Sequence, residues 1–243
     1  MILTDAIREI HATSRGVYGS RRVQAELALG RGIHVWHGTV SVLKTRAGIK
    51  GIGGRPKWRR PRPDLISTDL VDRQFRREGL DQLWVTDITE HHTREGKVYC
   101  AVVLDVCSRR VVGWSIDSSP TAALVTNALG MAIATRRPMP GTVIPLRPGV
   151  QFGSWAFTRR AKECGLLPSM GSIGDCYDNA VIESFWSRMQ VEPLDRRRWR
   201  TRLELANAIF EYLEIFHNRQ RRHSALGWLT PLEFETRQPI TVA

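Results

Sequence analysis

No stretch of this chain approaches the ~20 consecutive apolar residues that a membrane span requires. The first ten residues carry Asp5 and Glu9 where a secretory leader would have an unbroken apolar block. Cysteine is scarce: Cys100, Cys107, Cys164 and Cys176 are the only four in 243 residues, and none form a Cys-x-x-Cys pair. That excludes a disulfide framework and leads us to expect a reduced, cytoplasmic chain. His34 and His37 have a ligand-like spacing, but no cysteine precedes Cys100 to complete a zinc site with them. Acidic residues are also few, 24 against 36 Lys and Arg, which leaves a net charge of +12 and a pI near 10.4. The imbalance points to a polyanionic partner. Nucleic acid fits better than a membrane surface, because no basic amphipathic helix stands out. There is no internal repeat and no heptad segment.

Apolar residues make up 42% of the chain, enough to bury a core in one large domain or two small ones. Residues 1–50 read as three short basic helices. Thr4 caps the first, which carries Ile7 and Ile10 on one face; the second starts near Ser20; Thr39 caps the third, which ends at Gly48. With Arg21, Arg22, Lys44 and Arg46 on these helices, the pattern predicts a helix-turn-helix DNA-binding module, against the plainer alternative of a small bundle with a solvated basic face. Residues 51–78 form a linker that begins with Gly and Pro interleaved with Lys57, Arg59 and Arg60, side chains suited to phosphate contacts.

From residue 79 the periodicity changes. Segments 83–89, 97–105 and 110–117 are rich in Val, Ile, Trp and Tyr with short turns between them, which predicts an antiparallel meander. A helix over 121–136, a strand over 142–146, a helix over 155–164 and a strand over 166–169 follow, and a further helix begins at Ala180. Strands first, then alternating helix and strand, is the order of a ribonuclease-H-like α/β fold, a mixed sheet with flanking helices. This core is expected to span 79–192. Residues 193–243 are expected to extend it, with Leu203, Ala206, Ile209, Phe210, Leu213 and Phe216 as a core-facing helical stripe. The tail 217–224 reads as polar and basic, and Arg221 in it as a DNA contact.

Several strings resemble the insertion-sequence-3 family of bacterial transposases. They are Trp84-Val85-Thr86-Asp87-Ile88-Thr89, Asp105-Val106-Cys107-Ser108-Arg109, Val112-Gly113-Trp114, and Gly174-Asp175-Cys176-Tyr177-Asp178-Asn179-Ala180 with Glu183-Ser184-Phe185. Tyr18-Gly19-Ser20-Arg21-Arg22 resembles the family's amino-terminal helix-turn-helix, and Phe216-His217-Asn218 with His223-Ser224-Ala225-Leu226-Gly227 its carboxy-terminal signature. The resemblance covers essentially the whole chain. It implies a retroviral-integrase-like core whose Asp, Asp, Glu triad holds Mg²⁺ (or Mn²⁺) for strand cleavage and transfer. Asp87 matches the first acid and Glu183 the third, as catalytic residues and metal ligands. Asp175 and Asp178 read as loop formers.

The second acid is missing. Gly149-Val150-Gln151-Phe152 matches the end of the family's segment, and Pro145, Leu146 and Arg147 stand where His, Ser and Asp are expected, with 35 residues between Arg147 and Glu183. The departure is a block. Codons for Ile-His-Ser-Asp-Arg-Gly with one inserted and one deleted base read Ile-Pro-Leu-Arg-Pro-Gly, so a short compensated frameshift accounts for it, in a decayed element or through a sequencing error. The codons over 144–149 test that account. Asp105 or Asp175 as a substitute ligand is the competing view. The expected function is DNA transposition and integration on insertion-sequence ends and target DNA, impaired in catalysis. The alternative is a non-enzymatic DNA-binding relic that inhibits intact copies. A structure-specific nuclease fits neither terminal motif. The resemblance further implies a multimer on DNA at the bacterial nucleoid. Since the chain begins at Met1 without a heptad segment, it also implies a partner protein from the element's upstream reading frame.

Overall fold

A computed structural model describes residues 2–53, 79–145, 154–169 and 176–238. The chain divides into two compact units, one built from residues 1–53 with 189–243 and the other from residues 54–188.

The second unit contains the sheet. Strands β1 (Trp84–Thr93), β2 (Gly96–Asp105) and β3 (Val111–Asp117) form the expected antiparallel meander, with Asp87 opposite Val102 and Val102 opposite Trp114. After α4 (Ala122–Arg136), strand β4 (Val143–Pro145) pairs in parallel with β5 (Leu167–Ser169), and α5 (Trp155–Glu163) lies between them in sequence. A parallel bridge from Leu83 to Val143 sets β4 beside the start of β1, so the strand order is β3-β2-β1-β4-β5. One sheet face is covered by α4 and α5, whose Leu124, Val125, Ala128, Leu129, Phe157 and Ala161 meet Trp84, Ala101, Val103 and Val112. Gly113 permits this approach: a Cβ there would fall 2.2 Å from the Ala128 carbonyl oxygen and 2.6 Å from the Ala132 nitrogen. Thr121 caps α4 by accepting from the Leu124 N–H, and Ser154 caps α5 by accepting from the Phe157 N–H.

Helix α6 (Cys176–Val191) begins four residues before the expected start at Ala180. Asp178 therefore falls within the helix and not in a loop. The glycine-rich stretch 171–174 lies outside the described residues.

The first unit opens with α1 (Ile2–Thr13), α2 (Ser20–Arg31) and α3 (His37–Arg46). Ile7, Ile10, Val23, Leu27 and Val40 form their buried centre. Gly32 closes α2 at φ 66°, returning its N–H to the Ala28 carbonyl. Two expected caps move. The first helix already runs through Thr4, and Trp36 stands at the N-cap of α3 in place of Thr39.

Among the described residues, 193–238 group in one compact unit with these three helices. Helix α7 (Arg202–Phe210) passes directly into a π-helical segment, Glu211–Gln220, against which α8 (Pro231–Arg237) packs. Its buried side chains are Leu205, Ile209, Tyr212, Leu213 and Phe216, whereas Leu203 is 70% and Phe210 47% exposed. The expected stripe was thus out of phase at two positions: a spacing of three or four residues admits both phases.

What unites the two sequence-distant halves is a buried polar network. Arg221 grips Glu192 through two hydrogen bonds, Nε to Oε2 at 2.8 Å and Nη2 to Oε1 at 2.7 Å, with both side chains nearly inaccessible. Tyr212 donates to the same carboxylate at 2.9 Å, and Arg22 of α2 stands 3.9 Å from it. Arg222 donates to Glu26 of α2 at 2.7 Å and also to Glu233 of α8. The Tyr18 hydroxyl donates to the Gln220 carbonyl at 2.7 Å and accepts from the Arg222 N–H at 2.8 Å. Burial pushes that hydroxyl up to about 12, so it remains a donor across the physiological range. Burial alone would also raise the Glu192 carboxyl. The hydrogen bonds and charge of Arg221, with Arg22 and Tyr212 behind them, outweigh it and hold the group below the usual carboxylate range.

Candidate active site and DNA-contact residues

Side chains alternate across a strand, so Trp84, Thr86 and Ile88 share one face of β1 and Asp87 lies on the other. Trp84 and Ile88 belong to the core under α4 and α5. Asp87 therefore projects from the opposite face, half-buried, beside its cross-strand partner Val102. There its Oδ2 accepts a hydrogen bond from the indole Nε1–H of Trp186 at 3.1 Å. Trp186 is the residue three after Glu183 on α6, and residues so spaced lie on neighbouring turns of one helix face. Ile182 and Phe185 turn inward at 1% and 5% exposure, while Glu183 remains exposed. The two acids thus come from different elements linked by one hydrogen bond. The tryptophan that makes the link is a residue the sequence reading did not assign to the candidate site; its spacing of three from Glu183 was the available signal.

Asp105 is not a spare ligand. It is fully buried and accepts from the Asp81 N–H at 2.8 Å, the Ser108 N–H at 2.7 Å and the Ser108 hydroxyl at 3.0 Å. Burial pushes its carboxyl up, against the pull of those donors. Its work is to shape the turn after β2. Arg147 and Asp175 lie outside the described residues, as do Lys57, Arg59 and Arg60.

The expected DNA contacts separate into two kinds. Arg21 on α2 and Arg46 on α3 are exposed. Two expectations are corrected. Lys44 is 5% exposed and donates to the Tyr18 carbonyl at 3.2 Å, and Arg221 is 4% exposed inside the Glu192 clasp. A phosphate cannot reach either without unfolding the packing around it. Arg22 is intermediate, donating to the Arg222 carbonyl at 3.1 Å. The sequence pattern marks a basic side chain but not which way the helix turns it.

Two models of the integrase core domain match residues 78–176 and 165–231, and a model of an HTH-like domain matches residues 2–57. The transposase for insertion sequence element IS629 of Shigella sonnei is 38% identical over 96% of this chain and 78% of its own length. The transposase InsF for insertion sequence IS3A of Escherichia coli is 35% identical over 92% of this chain and 78% of its own. Among solved structures, the HTLV-2 integrase catalytic core domain in complex with magnesium aligns with a TM-score of 0.41 and 20% identity, over 59% of this chain and 90% of that one. Integrase-core proteins of this kind act on DNA and typically depend on divalent metal. With a helix-turn-helix-like region, an integrase core and relatives at this identity over most of its length, the chain belongs to the insertion-sequence-3 family of transposases.

Proposed function

We propose that this chain binds the ends of its insertion sequence and target DNA but does not cut or join them. The observation that carries the reading is the incomplete acid set. Asp87 and Glu183 stand on elements joined through Trp186, and the chain supplies Arg147 where the triad needs its second carboxylate. Both acids are hard oxygen donors of the type Mg²⁺ or Mn²⁺ takes. A guanidinium cannot ligate a cation and does not deprotonate near neutral pH. At ~5 Å from a divalent ion, its charge is repelled by roughly 7 kcal/mol at an effective dielectric of ~20. The donor set therefore does not fit a two-ion site, and no cleavage step is assigned to it.

What remains is a DNA-binding protein of the bacterial nucleoid. Arg21 and Arg46 supply exposed cations in the helix-turn-helix, Arg22 adds a partly screened one, and Lys57, Arg59 and Arg60 supply the basic linker. Assembly with other copies, or with the element's upstream-frame partner, would let such a chain occupy ends that an intact transposase requires. The test is nicking of an element-end duplex by the purified chain in Mg²⁺ and in Mn²⁺. Binding without nicking is expected; robust metal-dependent nicking would overturn the proposal.

A further inference from the structure

The densest run of positive charge in the sequence belongs neither to the acid motifs nor to the residues expected to contact DNA. Between α6 and α7, five of the seven residues from 196 to 202 are arginine: Arg196, Arg197, Arg198, Arg200 and Arg202. All five are exposed. The backbone that carries them is anchored. Trp199 is 7% exposed, its indole N–H donates to the Leu194 carbonyl at 3.1 Å, and Arg197 stacks on its ring at 4.1 Å. Thr201 then caps α7, accepting from the Glu204 N–H at 3.1 Å. Arg196 also donates to the Arg15 carbonyl, which brings the turn after α1 alongside and adds a sixth arginine. A cavity of about 230 Å³ opens between them, lined in part by Arg15, Arg196, Arg197 and Trp199.

An exposed arginine run is ordinarily a solvated face with acids interspersed. Here the charges are segregated. From 203 to 238 the chain carries five glutamates and four arginines, and two of those arginines, Arg221 and Arg222, are buried in ion pairs. The acids nearest the run are engaged: the adjoining Asp195 accepts from the Gln190 side-chain amide, Glu211 pairs with Arg15 at 2.7 Å, and Glu204 meets Arg197 at 3.4 Å and the Arg200 N–H at 3.0 Å. Like charges held this close repel one another, and a polyanion relieves the repulsion. Six residue steps reach at most ~20 Å. That length corresponds to about half a turn of duplex at a rise of ~3.4 Å per base pair.

We propose that the collar 196–202, with Arg15 beside it, is a second DNA-backbone contact that reads phosphates without regard to sequence. The inference rests on the DNA-binding reading above. It is tested with the full chain by fluorescence anisotropy on an element-end duplex and a scrambled duplex across a salt series. Changing Arg196, Arg197, Arg198 and Arg200 together to Gln is expected to weaken binding to both duplexes by the same factor. The slope of log affinity against log salt should fall by roughly 3 to 4, at ~0.9 per lost phosphate contact. The same four changed to Lys should keep the slope, which separates lost charge from lost fold. A control with Arg94, Arg159, Arg160 and Lys162 changed to Gln removes equal charge elsewhere and should keep it too. An unchanged slope in the first variant, or an equal fall in the control, overturns the proposal. If the unsubstituted chain binds neither duplex, the DNA-binding reading fails first and the collar with it.

Discussion

The indole N–H of Trp186 donates to Oδ2 of Asp87 across 3.1 Å, joining the first acid of β1 to the helix that carries the last. A hydrogen bond to a charged acceptor contributes about 1.5–3 kcal/mol. Partial exposure places this one near the lower end. Trp186→Phe keeps an aromatic ring beside Phe185 but removes the donor. We expect a stability loss of about 1–2 kcal/mol, read from urea unfolding. A loss near zero would mean that the bond does not hold Asp87 in place.

Restoring the second acid probes the lesion itself. Arg147→Asp is expected to confer Mg²⁺- or Mn²⁺-dependent nicking of element-end DNA if the guanidinium is the sole obstacle. If it restores nothing, the neighbouring substitutions at Pro145, Leu146 and Pro148 contribute, and reverting the block 145–148 becomes the informative variant.

The clasp between Glu192 and Arg221 governs stability. Glu192→Gln leaves a buried guanidinium without its counter-charge, and the expected cost is about 3–5 kcal/mol. The pH dependence follows from the lowered carboxyl of Glu192. A carboxylate held below its unfolded value stabilises the fold above about pH 4.3. That contribution is lost as pH falls through the folded value. The stability gap between the parent chain and Glu192→Gln should therefore narrow on acidification below that point. A gap that stays constant from pH 7 to pH 3 would count against the ion pair.

Lys44 and Arg46 stand two residues apart and should behave oppositely. Arg46→Ala is expected to lower the salt slope of DNA binding by about one phosphate contact while leaving stability within ~0.5 kcal/mol. Lys44→Met should leave the salt slope unchanged and alter only the melting temperature, because its ammonium faces the Tyr18 carbonyl and not solvent. Equal effects of the two on DNA affinity would show that α3 presents Lys44 outward when bound.

Much of the sheet was legible because alternation of β-branched and aromatic residues fixes strands locally. The acids were legible as motif positions, yet the hydrogen bond from Trp186 to Asp87 was not, since the two residues are 99 apart. Burial within the C-terminal segment was hidden for a related reason. His217-Asn218-Arg219-Gln220-Arg221-Arg222-His223-Ser224 is polar by composition, and polarity reads as surface. In the fold, His217, Asn218, Arg221 and Arg222 are all buried, and carboxylates and a tyrosine from elsewhere in the chain meet the two arginines. Charge that is neutralised by a distant partner looks, in sequence, like charge that is free.

The discontinuous unit has a consequence for biosynthesis. Tyr18, Arg22 and Glu26 leave the ribosome more than 160 residues before Glu192 and nearly 200 before Arg221 and Arg222. At 5–20 residues per second, the amino-terminal helices wait roughly ten to forty seconds for those partners. The whole sheet-bearing unit is made in that interval. A nascent chain therefore settles its amino-terminal helices only once residues 192–222 have been made, and a chain terminated before them lacks the groups that lock those helices in place.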